Sequence, residues 1–169
     1  MMNLILSLKR LMAYWIDFIL LALILCGCQW FLYTLTAGFP FDQLKAGYEI
    51  ELWVLATIST PVWVYFICSE YYYQQTIGKR LMKIKVESKD GSAVSLSQIV
   101  RRTAVRLFPW ETTHLVILVP HPWWSSDESE LSYFIYIPNI LIMIYIMVLF
   151  VSKGKAAVHD RISNTTVGT

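Results

Sequence analysis

Apolar residues run almost without a break from Leu11 to Thr36, interrupted only by Asp17 and Gln29. An α-helix needs about 20 such residues to cross a hydrocarbon layer about 30 Å thick, so the run predicts a membrane span with some tilt. It is too long, and its aspartate too polar, for the apolar region of about 7–15 residues in a cleaved signal peptide. Ile50–Ser69 predicts a second span, kinked at Pro61, and Tyr71, Tyr72 and Tyr73 follow it as an interfacial aromatic belt. Leu131–Val151 predicts a further span, with Pro138 and Asn139 in its first half.

Basic residues are retained on the cytoplasmic side of a membrane. Of the 14 lysines and arginines, all but Lys45 lie before the first run, between Lys79 and Arg106, or after the last run. Asp42, Glu49, Glu51, Asp127, Glu128 and Glu130 gather in the two intervening loops. This asymmetry predicts that both termini are cytoplasmic, and three spans cannot achieve that. A fourth crossing is required at about 104–122, where Arg106, Pro109, Glu111 and His114 make the hydropathy weakest. The alternative is a re-entrant or interfacial segment, with the C-terminus outside.

Composition narrows the class. Hydrophobic residues are 56% and charged residues 15%, against about 45–50% and about 25% in soluble domains. More apolar side chain is present than a core of this size hides, which argues against a soluble single-domain enzyme. The same figures exclude a disordered chain, which needs few aromatics and many charges. The net charge of +2 is uninformative beside its distribution.

Within the cytoplasmic segment, about 70–103, the period changes to two. Met82, Ile84 and Val86 alternate with Lys83, Lys85 and Glu87, and Asp90-Gly91 follows as a turn signal. A β-hairpin returning through Ala93-Val94 is expected. Ser95 and Gln98 read as a capping box opening a helix. The lysines of this segment would favour anionic headgroups at the cytoplasmic face, or serve only to enforce topology. Thr76-Ile77-Gly78-Lys79 is not a phosphate loop, because the spacing fails and position 80 is Arg rather than Ser or Thr.

Three ordered motifs resemble the RDD family of bacterial membrane proteins. Lys9-Arg10 through Asp17 is similar to its opening. Gln75-Thr76-Ile77-Gly78-Lys79-Arg80, leading to Ile84-Lys85-Val86 and Asp90-Gly91, resembles its central motif. Val158-His159-Asp160-Arg161 with Thr165-Thr166-Val167 resembles its closing motif. The resemblance covers nearly the whole chain. It implies that Arg10 and Asp17 are the family's first arginine and aspartate, that Asp160 matches its second aspartate, and that cation–proton exchange is a function to consider. Pro109-Trp110-Glu111-Thr112-Thr113-His114 lies outside the core family pattern.

Asp17 follows Arg10 by seven positions, about 10 Å and nearly two turns of helix, so the two share a face. A charge at membrane depth costs several kcal/mol unless paired or hydrated. Asp17 is therefore either functional or a tie to Arg10, Tyr14 or a cytoplasmic basic residue. Glu111 and His114 share a face at i and i+3. Glu111 is expected near the depth of Asp17, and Pro109 to start a new half-helix in a broken third span. Asp17, Glu111 and His114 are thus a candidate proton or cation site; the alternative leaves Glu111 and His114 wet at the cytoplasmic interface. Glu-x-x-His is also a metal spacing in helical bundles, but those sites use two such motifs and two more glutamates, so no metal and no cofactor is expected. Cys26, Cys28 and Cys68 lack ligand spacing and read as small hydrophobes. Asp160 is expected to pair with Arg10 or Arg80, pinning the tail. Asn139 is expected to bond a neighbouring helix or a freed carbonyl, and His121-Pro122-Trp123-Trp124 to anchor the outer interface.

The chain is accordingly expected to be one all-α membrane domain over 1–169, a polytopic four-helix protein of a bacterial inner membrane with a small cytoplasmic β-hairpin. Spans fall at about 11–36, 50–69, 104–122 and 131–151. The expected function is transport of a small cation or proton, in a homo-oligomer or with a larger membrane partner and without nucleic acid. The alternative is a non-transporting scaffold that binds headgroups or another subunit. A membrane enzyme is not expected, since no nucleophile–base pair is recognisable.

Overall fold

The computed structural model describes residues 2–119, 122 and 133–168. The expected outer anchor at His121, Trp123 and Trp124, the acidic residues Asp127, Glu128 and Glu130, and the start of the last predicted span lie outside the described residues. Helix α1 spans Met2–Leu35. Helix α2, Gly47–Val54, continues through a π turn, Leu55–Ser59, into α3, Thr60–Tyr73. After the short α4, Ile77–Leu81, come strand β1, Lys85–Ser88, and helices α5, Leu96–Leu118, and α6, Tyr136–Val151. Helix α7, Val158–Ser163, and strand β2, Thr165–Gly168, close the chain.

The exterior is apolar. Leu4–Leu35 and Gly47–Tyr73 are each long and apolar enough to cross a membrane, yet only 11% of the most apolar window of each is buried. A soluble protein's core helix shows the reverse. Leu23, Trp30 and Leu35 are each 70% exposed. Such a surface requires lipid rather than water, and the chain is a membrane protein. The shorter α6 likewise exposes Met143, Met147 and Val151.

Helix α5 starts where the sequence predicts: Ser95 Oγ accepts from the Gln98 amide, and Gln98 Oε1 accepts from the Ser95 amide. It does not break at Pro109. The helix runs through it, because the one carbonyl that proline orphans, that of Val105, accepts a hydrogen bond from Tyr145 Oη of α6 at 2.8 Å. The expected half-helix boundary is thus replaced by a tie between helices. Pro61 lies in the first turn of α3, where a missing amide is tolerated, and the irregularity falls just before it in the π turn.

The hairpin expectation is also corrected. Gly91 turns the chain with a positive φ of 77°, but no strand returns. Instead β1 pairs antiparallel with β2, Lys85 opposite Gly168 and Ser88 opposite Thr165. Ala93 and Val94 could offer only two residues, and Val94 is instead buried beside Ala13, Ile84, Val86, Ile99 and Val167. This small core lies at one end of the bundle. There Ser7 Oγ donates to the Leu149 carbonyl and Arg10 Nη1 to the Gly154 carbonyl. The start of α1, the end of α3, the start of α5 and the end of α6 all meet at this end. Toward the other end of α1, Trp53 Nε1 donates to Gln29 Oε1 at 3.1 Å.

Candidate functional site

Asp17, 1% exposed, is clamped between α1 and the α3–α4 corner. Its Oδ1 accepts from Tyr65 Oη and from the Gly78 amide, both at 2.7 Å, and its Oδ2 accepts from Thr76 Oγ1 at 2.5 Å. Thr76 also caps α4 by accepting from the Lys79 amide. Gly78 is required here: a Cβ on it would lie 2.1 Å from the Ala13 carbonyl oxygen. Asp17 is thus fully engaged by neutral donors, not by Arg10 or Tyr14 as the sequence suggests. None of its hydrogen bonds goes to Glu111 or His114.

Arg10 and Asp160 do meet. Asp160, fully buried, pairs with both Arg10 and Arg102 and also caps α7 by accepting from the Ala157 amide at 2.7 Å. Arg80 is exposed and takes no part. Glu70, also fully buried, receives Lys79 Nζ at 2.6 Å, Arg102 Nε at 3.0 Å and Arg106 Nη1 at 2.5 Å. Arg102 therefore links the two carboxylates. Burial lowers the Lys79 ammonium to about 7 against the raising pull of Glu70. Burial opposes ionisation of Asp160, but the guanidinium groups of Arg102 and Arg10 hold its carboxyl far below the usual range. Of the central motif, Gly78 and Lys79 are thus structural joints.

A third cluster joins α2, the π turn, α3 and α5. His114 directs Nδ1 at Glu51, 2.9 and 2.8 Å from its two oxygens, and Nε2 at Glu111 Oε2, 2.9 Å away. Glu111 also accepts from Ser59 Oγ at 3.1 Å and Trp63 Nε1 at 2.7 Å. Glu51, Ser59 and Trp63 span twelve positions, which overshoot three turns of α-helix by about 120°. The wider π turn takes up part of that overshoot and keeps all three against α5. Mid-helix π turns often occur at functional sites.

The chemistry follows from the imidazole. Two nitrogens face two carboxylates, and a neutral imidazole can donate from only one. Each ring nitrogen thus faces a carboxylate on a different helix, so a proton on the ring can be handed to either side. Among the described residues there is no group of three or more potential metal ligands placed to hold a metal ion.

Sequence reasoning paired Glu111 with His114 and missed Glu51, assigning it to an outer loop by its charge alone. It missed Glu70, whose signal was an acid closing an apolar run, and counted Arg102 among topological charges. The model of the RDD family matches residues 7–164 of the chain. No curated protein and no solved structure matches it.

Proposed function

The chain belongs to the RDD family, and from that membership and the geometry above we propose that it moves a proton or a small monovalent cation across a bacterial inner membrane. The site is Glu51, Glu111 and His114, with Ser59 and Trp63 orienting Glu111. The observation that carries this reading is one imidazole held between carboxylates of two different helices. Glu111 follows Arg102 by nine positions, about 14 Å of helix rise, or close to half of a hydrocarbon core about 30 Å thick. Ion-coupling sites of transporters lie near that depth.

In this reading four crossings are made by α1, α2–α3, α5 and α6, with both termini cytoplasmic. Phe108 and Leu115 of α5 are 52% and 50% exposed, which supports α5 as a lipid-facing span despite its polar inner side. Four helices enclose little space, so a homo-oligomer or a larger membrane partner completes the pathway.

The test is ion flux in proteoliposomes at varied pH. Glu111→Gln and His114→Gln should abolish pH-dependent flux while the protein still elutes as a single species, and Asp17→Asn should act mainly on stability. Undiminished flux in both of the first two variants would remove the site. Absence of flux in the parent chain, with a partner that co-purifies at fixed ratio, would favour a non-transporting scaffold.

A further inference from the structure

A cavity of about 210 Å³ lies between α1, α5 and α6, and none of Glu51, Glu111 and His114 lines it. One end is basic, bordered by Arg10, Arg102, Arg106, Lys79 and His159; the remaining wall is mainly apolar, with Leu11, Trp15, Ile142 and Ile146 among its residues. Two buried nitrogens of this basic end, Arg106 Nε and His159 Nδ1, have no hydrogen-bond partner among the described residues. Arg106 is firmly held: Nη1 is on Glu70, Nη2 is 3.4 Å from Thr103 Oγ1, and the guanidinium sits 4.0 Å over the Phe66 ring. Its side chain is 7% exposed.

Both unpartnered nitrogens are donors. Arg10 Nη2 lies 3.4 Å from His159 Nε2, and a guanidinium only donates, so Nε2 accepts and Nδ1 carries the hydrogen. Burial keeps this imidazole neutral. The nearby carboxylates are already committed: Asp17 to Tyr65, Thr76 and Gly78, Glu70 to Lys79, Arg102 and Arg106, and Asp160 to Arg10, Arg102 and the Ala157 amide. Buried donors left unsatisfied are costly, and what this end lacks is an acceptor. A metal cation would meet three guanidinium groups, and the carboxylates beside them, Asp17 included, already hold their donors.

The apolar wall decides what carries that acceptor. Trp15 and Ile142 line the cavity and are also 52% and 42% exposed on the outer, apolar surface. These side chains therefore form the wall between the cavity and the apolar exterior of α1 and α6. Basic pockets between membrane helices take anionic headgroups. We propose that this cavity binds an acidic amphiphile, with its phosphate or carboxylate at Arg106 and His159 and its hydrocarbon chain along Trp15, Ile142 and Ile146.

The experiment uses the full chain, purified in detergent, stripped of lipid, and titrated while bound species are counted by native mass spectrometry. The probes are phosphatidylglycerol, oleate, phosphatidylcholine and inorganic phosphate. Phosphatidylglycerol or oleate should bind at least about tenfold more tightly than phosphatidylcholine, a difference of about 1.4 kcal/mol, and inorganic phosphate should fail to displace them. Ile146→Trp, which fills the apolar half, and Arg106→Gln, which removes the free donor while Lys79 and Arg102 still hold Glu70, should each erase most of that preference. Ile142→Phe, at the rim, serves the same purpose should either variant not fold. Equal binding of phosphatidylcholine, or unchanged preference in a folded cavity variant, would overturn the proposal. Displacement by inorganic phosphate alone would also overturn it, by showing a site for free anions.

Discussion

Gly78 shows how one missing side chain sets a joint. Its amide reaches Asp17 only because α4 lies against the Ala13 carbonyl, with no room for a Cβ. Gly78→Ala should force that contact apart and cost about 1–3 kcal/mol, the usual range for overpacking, read as a lower thermal midpoint with Asp17→Asn as comparison. His159 makes a prediction about pH. Its folded pKa lies well below the ordinary histidine value because burial disfavours the charged ring. A depressed folded pKa means that the unfolded chain binds the extra proton first as pH falls, so stability is complete above about 6.5 and declines below it. Between pH 7.5 and 5.5 the loss should be about 1.4 kcal/mol. Thermal unfolding at the two values checks this, and His159→Phe should flatten the difference. Arg10, Asp17 and Asp160 stand out in the sequence as charges near apolar runs. Their partners do not, because Tyr65, Thr76 and Arg102 are ordinary until the fold sets them beside a buried carboxylate.

At the scale of elements, α5 separates its polar and apolar residues onto two faces. Arg102, Arg106, Glu111 and His114 turn inward to Asp160, Glu70 and Glu51, while Phe108 and Leu115 face outward. Averaging along the sequence mixes the two faces and hides the apolar one. Pro109 is similarly misread from local chemistry, since the carbonyl it orphans is satisfied by a hydroxyl from another element. Tyr145→Phe should leave the Val105 carbonyl unsatisfied and cost about 1–3 kcal/mol. Hydrogen exchange should rise around Val105–Pro109 in this variant more than elsewhere in α5. The β1–β2 pairing belongs to the same lesson. Alternation along Met82–Glu87 identifies a strand, but an edge pairs with whatever the fold delivers, and α7 delivers Thr165–Gly168.

For the whole molecule, the N-terminal and C-terminal ends are locked on one side. Ser7 and Arg10 bond to Leu149, Gly154 and Asp160, and β2 zips to β1. Reporter tags fused at the N-terminus and the C-terminus should therefore give the same cytoplasmic signal, with a tag inserted beside Lys45 reporting the opposite face. A C-terminal signal from the periplasm would make α5 re-entrant and remove the fourth crossing. The sequence by itself determined the membrane class, the long apolar runs, the capped start of α5 and the family, because burial in lipid, charge retention and capping act on residues close together along the chain. Only the tertiary structure decided which acids flank His114, why Asp17 is held apart from them, and where β1 finds its partner. Those outcomes depend on which faces of separate helices meet, and contact between elements distant in sequence leaves no local pattern to read.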